Sequence, residues 1–168
     1  MFSNSYILAA TASLLTTTVV AMSASGALAE TKNYVGLSLS SVNSNTAFGV
    51  NSRIGIAENI SVRPYIQAFG SSGGGVTGTV GLYGVSATFD FMIPKSELTP
   101  YVGLGFQSVS VTFTGGGGSA TFTGGSNTYF EGGVDYAVSE KIVLNANYKS
   151  SYATSSGGYF TVGAGYNF

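Results

Sequence analysis

Glu131 and Asp135 are the first residues to test for chemistry, because two carboxylates on one strand face could serve as acid and base. Four residues of strand rise separate them by about 13 Å, too far for a glycosidase pair. The chain contains no His and no Cys, so the imidazole base, the thiolate nucleophile and the commonest metal ligand are all missing. Ser and Thr are abundant, yet a hydroxyl without an orienting base is more simply a strand or loop residue. Gly115-Gly116-Gly117-Gly118 is followed by no Lys and opens no helix, so it is not a phosphate loop. No enzymatic activity, metal or cofactor is expected.

Charge is scarce, and its placement is informative. The 168 residues include six basic and seven acidic side chains, a net charge of −1 and a charged fraction of 8%. Soluble domains carry about a quarter. A 44% hydrophobic and 13% aromatic content excludes disorder, and the near-neutral balance gives no footprint for nucleic acid. Arg53, Arg63 and Lys149 share one face of the pattern with Asp90, Glu131 and Asp135. They are expected to form a balanced interior ion-pair network, since Arg or Lys facing lipid at mid-depth costs about 2–4 kcal/mol. Spacing does not say which acid meets which base. The competing reading is six unrelated, solvated charges.

The elements that must position these residues are strands. From Tyr34 to Phe168 apolar residues recur at every second position, the strand period and not that of a helix. Eight runs of about ten residues, the length of a tilted spanning strand, carry outward sets such as Val35, Leu37 and Leu39, or Phe160, Val162, Ala164, Tyr166 and Phe168. The opposite face is Gly, Ser, Thr, Asn and the six charges, a poor coat for water but a suitable filling for a narrow lumen. Frequent inward Gly is expected to make room for larger interior groups. Aromatics fall in two tiers, as interfacial girdles do: Tyr83 against Phe89 and Phe91, Phe130 against Tyr136, Phe160 against Tyr166 and Phe168.

Connections alternate in chemistry. Ala57 to Asn59, Met92 to Thr99 and Val138 to Lys141 are short and charged; Ser41 to Asn45, Gly70 to Gly78, Thr112 to Gly125 and Ala153 to Gly157 are uncharged Ser, Gly, Thr and Asn. Short turns face the periplasm in outer-membrane barrels, which places both chain ends there. The uncharged outer loops offer no electrostatic grip on nucleic acid, heparin-like chains or ionic substrates, and no carboxylates for calcium. Pro64 removes a ladder hydrogen bond, so a bulge is expected there. After Gln107 the apolar phase slips to Val109, Val111 and Phe113, which implies either another bulge or the point where the strand leaves the bilayer. Thr112-Phe113-Thr114-Gly115-Gly116 repeats as Thr121-Phe122-Thr123-Gly124-Gly125. Two readings stand side by side: a protruding β-ribbon whose Phe113 and Phe122 serve a surface partner, or a flexible loop that buries both rings.

Residues 1–29 read as a signal peptide, with an apolar stretch from Tyr6 to Met22 and cleavage after Ala29 at Ala27-Leu28-Ala29,. No Lys or Arg precedes Lys32, so the usual basic start is missing, and an uncleaved anchor is the alternative.

The final run, Tyr159-Phe160-Thr161-Val162-Gly163-Ala164-Gly165-Tyr166-Asn167-Phe168, together with Glu131-Gly132-Gly133-Val134-Asp135-Tyr136 and Leu144-Asn145-Ala146-Asn147-Tyr148, resembles small outer-membrane β-barrels of the OmpA and OmpX type. The resemblance covers residues 30–168. It implies that Phe160, Tyr166 and Phe168 form the signal read by the barrel-assembly machinery. The expectation is therefore an all-β, eight-stranded antiparallel up-and-down transmembrane β-barrel of one domain, 30–168, a monomer among outer-membrane lipids, with a non-enzymatic structural or surface-interaction role. A porin-like protein passing small neutral solutes and a secreted soluble β-sandwich are the alternatives.

Overall fold

The computed structural model describes residues 33–42, 45–73, 76–115, 117–151 and 157–168; the segment 1–29 read as a signal lies outside them. Alternating β-branched, aromatic and small polar residues give antiparallel strands throughout: β1 (Tyr34–Val42), β2 (Asn45–Ala57), β3 (Ile60–Gly73), β4 (Val76–Asp90), β5 (Leu98–Gly115), β6 (Gly118–Thr123), β7 (Asn127–Ala137), β8 (Ile142–Ser151) and β9 (Gly158–Asn167). The sheet runs β4-β3-β2-β1-β9-β8-β7-β5, and β4 pairs with β5 to close the ring. Eight strands therefore make the barrel. Among the described residues, closure pairs each of the eight ring strands with a neighbour on both sides, the condition a sheet must meet to sit in hydrocarbon. The ninth strand, β6, folds back on the upper part of β5, with Ser110 to Gly115 opposite Thr123 to Gly118.

The two faces are inverted relative to a water-soluble protein. Leu37, Phe48, Leu104, Phe106, Phe130, Phe160 and Val162 are each more than half exposed on the outside, while Arg53, Arg63, Asp90, Gln107, Glu131 and Lys149 are buried inside. A sandwich would bury the first set. This distribution selects the membrane barrel over the soluble alternative.

Several connections are shorter than the sequence suggests. The stretch Gly70 to Gly78 is mostly ladder, with Gly70↔Thr79 and Gly73↔Val76 paired. Pro64 carries no bulge: Pro64↔Val85 keeps the β3–β4 register, and the β2–β3 ladder runs from Asn51↔Tyr65 to Ile54↔Val62 without a shift. The missing N–H removes a rung, not the alignment. The irregularity sits instead between Gly55 and Ala57, beside the tight turn at Glu58 and Asn59.

No bulge accompanies the phase slip after Gln107 either. Pairing with β4 is unbroken from Asp90↔Tyr101 to Thr77↔Thr114, so Val109, Val111 and Phe113 continue the inward parity of Gln107. Above the lipid the outer face meets water and takes Ser108, Ser110, Thr112 and Thr114; the apolar residues turn inward. Val109 and Phe69 pack on a cluster of Val42, Ala47, Tyr65, Leu82, Tyr129 and Tyr159 that caps the lumen. Strands β3 to β6 thus form a wall taller than the rest of the rim.

Candidate functional site

Seven strands contribute to the interior polar network, each through residues of inward parity. Asp90, at the end of β4, accepts from Arg53 of β2 through Nη2 at 2.8 Å and Nε at 3.1 Å, and from the Ser61 hydroxyl. Arg63 of β3 bridges two acids, its Nη2 lying 2.9 Å from both Asp90 Oδ1 and Asp135 Oδ2. Its guanidinium also stacks 3.5 Å from the Tyr101 ring centroid, a cation–π contact strengthened by the burial of both groups,. Asp135 further accepts from Asn145 Nδ2 at 2.6 Å and from the Tyr34 hydroxyl at 3.2 Å.

A rail of side chains on β8 joins this group to the remaining pair. Asn147 Nδ2 donates to Asn145 Oδ1 at 2.8 Å, and Lys149 Nζ donates to Asn147 Oδ1 at 2.9 Å. Lys149 lies 3.5 Å from Glu131 Oε2 and 4.6 Å from the Tyr65 ring centroid; the Ser86 hydroxyl donates to Glu131. All six charges named from the sequence are therefore brought into one hydrogen-bonded chain, in the pairs Arg53–Asp90, Arg63–Asp90, Arg63–Asp135 and Lys149–Glu131. Each carboxylate is engaged by a cation, which offsets the desolvation that burial imposes.

Above the ions sits a plug. Tyr65 donates to Gln107 Oε1 at 2.8 Å, Tyr159 to the Tyr65 hydroxyl at 3.1 Å, and Gln67 Nε2 to Ser40 Oγ at 2.6 Å. Tyr65 and Tyr129 meet edge to face at 5.9 Å between centroids. Among Tyr34, Tyr65, Arg63, Tyr101, Glu131 and Lys149 the free space is about 10 Å³, about one water molecule. A cavity of about 170 Å³ lies at the turn end, walled by Tyr34, Arg53, Met92, Ile93, Glu97 and Asp135.

Glycine makes this filling geometrically feasible. A Cβ on Gly105 would come within 2.6 Å of Tyr129 Cζ, one on Gly84 within 2.7 Å of Tyr65 Cε1, and one on Gly165 within 2.8 Å of Tyr34 Cδ2. Each ring packs against a glycine on the neighbouring strand, the arrangement that rescues glycine in sheets. Tyr34, Tyr101 and Tyr159 are site residues the sequence reading passes over. Their signal was parity: each immediately precedes an outward residue, Val35, Val102 or Phe160.

The other named residues lie apart from the lumen. Phe160, Tyr166 and Phe168 are exposed on the outer wall, with Phe168 N bonded to Asn33 O where the ends of the chain meet. Phe113 and Phe122 lie on the tall wall, exposed, with ring centroids 6.3 Å apart. Residues 110–115 and 118–123 pair as a hairpin, with Gly117 at φ 86°, and do not form a loop burying its rings.

A closed ring of eight antiparallel strands, apolar outside and ionic within, is the deciding observation. The fold is that of the small eight-stranded outer-membrane barrels. The N-terminal barrel domain of Pseudomonas aeruginosa OprF superposes with a TM-score of 0.62 at 17% identity, over 82% of this chain and 97% of that one. Ail, the attachment invasion locus protein of Yersinia pestis, gives 0.55 at 19% identity over 82% and 97%, and Neisserial surface protein A gives 0.56 at 16% over 81% and 93%. No protein-family model and no curated protein matches the sequence. The likeness is one of fold, held by pattern and not by sequence identity. Among the described residues of this barrel no group of three or more His, Cys, Asp and Glu side chains is placed to hold a metal.

Proposed function

We propose that this chain is a non-enzymatic barrel of a bacterial-type outer membrane, a single copy in its own bilayer, closed to solutes and working through the wall that rises above the lipid. The filled lumen carries this reading. The pocket between Tyr34, Arg63, Tyr101, Glu131 and Lys149 is about 10 Å³, so on this reading a neutral solute passes only if the network Arg53, Arg63, Asp90, Glu131, Asp135 and Lys149 comes apart. Export by residues 1–29 with cleavage after Ala29, and recognition of Phe160, Tyr166 and Phe168 by the barrel-assembly machinery, complete it.

The chemistry of the wall limits its partners. Ail has been crystallised with the heparin analogue sucrose octasulfate. The wall from Gly70 to Gly78 and from Ser108 to Asn127 carries no charged residue, so sulfated chains and nucleic acid have no counter-charge here. Backbone pairing and the apolar face around Phe113 and Phe122 remain as the means of recognition. Planar-bilayer recording tests the reading: the purified protein is expected to give no stable conductance steps, and sustained channels would favour the small-porin alternative and overturn the closed lumen.

A further inference from the structure

Strand β6 has a free edge. Among the described residues it pairs with β5 alone, and Gly118-Ser119-Ala120-Thr121-Phe122-Thr123 holds neither a charge nor a proline, the two devices by which exposed edges are usually kept from pairing. An edge left open in this way matches a partner strand. What that strand must look like can be read from β5, which already occupies the other edge. In the hairpin Thr112 stands opposite Thr121, Phe113 opposite Ala120 and Thr114 opposite Ser119.

The repeated triplet supplies the same residues a second time. If β6 of another copy lies antiparallel along the free edge, centred on Thr121, its Thr121, Phe122 and Thr123 stand opposite Thr121, Ala120 and Ser119. The pairs are Thr with Thr, Phe with Ala and Thr with Ser, those that β5 makes. Phe122 then stays on the apolar face and the hydroxyls on the wet one, as strand parity requires. An uncharged edge also meets its own copy without repulsion.

We propose that β6 is a homotypic edge that pairs antiparallel with β6 of a second copy held in an opposing membrane. The inference rests on the surface-interaction reading above and names its partner. Opposition follows from symmetry: the two-fold axis relating antiparallel strands within one sheet is perpendicular to that sheet, and the sheet here is a barrel wall standing along the membrane normal. Rotation about an axis in the membrane plane turns the second membrane over. Six residues separate Phe106, at the top of the apolar belt, from Thr112 opposite the proposed centre; at about 3.3 Å per residue and a tilt of roughly 45°, the two belts would stand about 30 Å apart. Single pairings of one short strand are weak, but many copies on facing vesicles act together.

The test uses the full barrel in phosphatidylcholine vesicles, with tethering read by light scattering and by energy transfer between two dye-labelled populations. Wild-type vesicles are expected to tether. Thr121→Lys and Thr121→Glu vesicles each lose tethering, because like charges face each other at the two-fold axis, and mixing the two populations restores it. Thr79→Lys, on the same outer face but two strands from the edge, tethers as wild type does. The chain has no Cys, so a Thr121→Cys variant is expected to form a disulfide-linked dimer across tethered vesicles when dissolved oxygen is supplied with copper phenanthroline as the oxidation catalyst. Absence of wild-type tethering, or failure of the Lys and Glu populations to rescue each other, overturns the homotypic edge. Protease treatment separates this from the broader reading: with residues 109–125 protected, only the choice of partner is wrong, whereas rapid cleavage there removes the ribbon and both readings with it.

Discussion

The lower lumen and the tall wall are built from the same alternation and use it in opposite senses. Inside the lipid belt, inward positions hold Arg63, Asp90 and Glu131, and outward ones Val85, Leu104 and Phe130. Above it, the inward positions of β5 are Val109, Val111 and Phe113, and the outward ones Ser110, Thr112 and Thr114. The backbone register does not change between them. The solvent does. Where hydrocarbon bathes the wall, the polar set must be inward and its charges paired; where water does, the apolar set turns in and little holds it. The lumen should therefore be rigid and intolerant of substitution, and the ribbon permissive.

The largest effect is expected at Asp90, which holds both Arg53 and Arg63. Asp90→Ala leaves two buried guanidinium groups short of a partner, and breaking a buried pair from one side costs about 3–5 kcal/mol. Urea unfolding followed by far-UV circular dichroism, suited to a chain without Trp, should show that loss. Glu131→Gln should cost less, about 1–3 kcal/mol, because Lys149 keeps Asn147 Oδ1 at 2.9 Å and the Tyr65 ring. Equal losses at the two sites would mean that the ions act as isolated pairs and not as one chain.

How far the sequence reveals this network depends on which neighbours are one turn apart. Glu131 and Lys149 lie directly opposite in the β7–β8 hairpin, so a correct turn suffices to pair them. Arg63 and Asp135 are on β3 and β7, which share no ladder; their meeting across the lumen depends on strand tilt and barrel closure, which no spacing along the chain encodes. Period-two patterning places the ring strands and their lipid face because each strand reports its own alternation. Tyr34, Tyr101 and Tyr159 escape notice since each sits near a strand start, where a count of alternating apolar residues begins one position later. Pro64 misleads for another reason: the rule about lost donors concerns a rung, and the flanking ladder holds the register without it.

Packing separates the two regions less sharply than charge does. Gly105→Ala forces Tyr129 off its seat, since the added methyl lies within 2.6 Å of Cζ and of the Val85 carbonyl; overpacking of this kind costs about 1–3 kcal/mol. Gly125→Ala, with nothing within 4 Å of the added atom, should stay within about 0.5 kcal/mol of the parent. A matching loss at Gly125 would show that the segment leading from β6 to β7 is as tightly held as the lumen, and the contrast between the regions would fail.

Phe122→Ser should have the most local effect. The ring is 62% exposed and meets Phe113 edge to face at 6.3 Å, a contact worth about 0.5–1.5 kcal/mol at best. Because the ribbon is joined to the barrel through β5 but adds nothing to ring closure, that loss should appear as local opening and not as lower global stability. Hydrogen exchange should speed up at Val111, Phe113 and Ala120, whose amides face across the hairpin, while the amides of Val102 to Phe106 on the same strand exchange as before. A uniform change along the whole of β5 would mean that wall and barrel unfold as one unit, and the division drawn between a rigid lumen and a permissive ribbon would have to be given up.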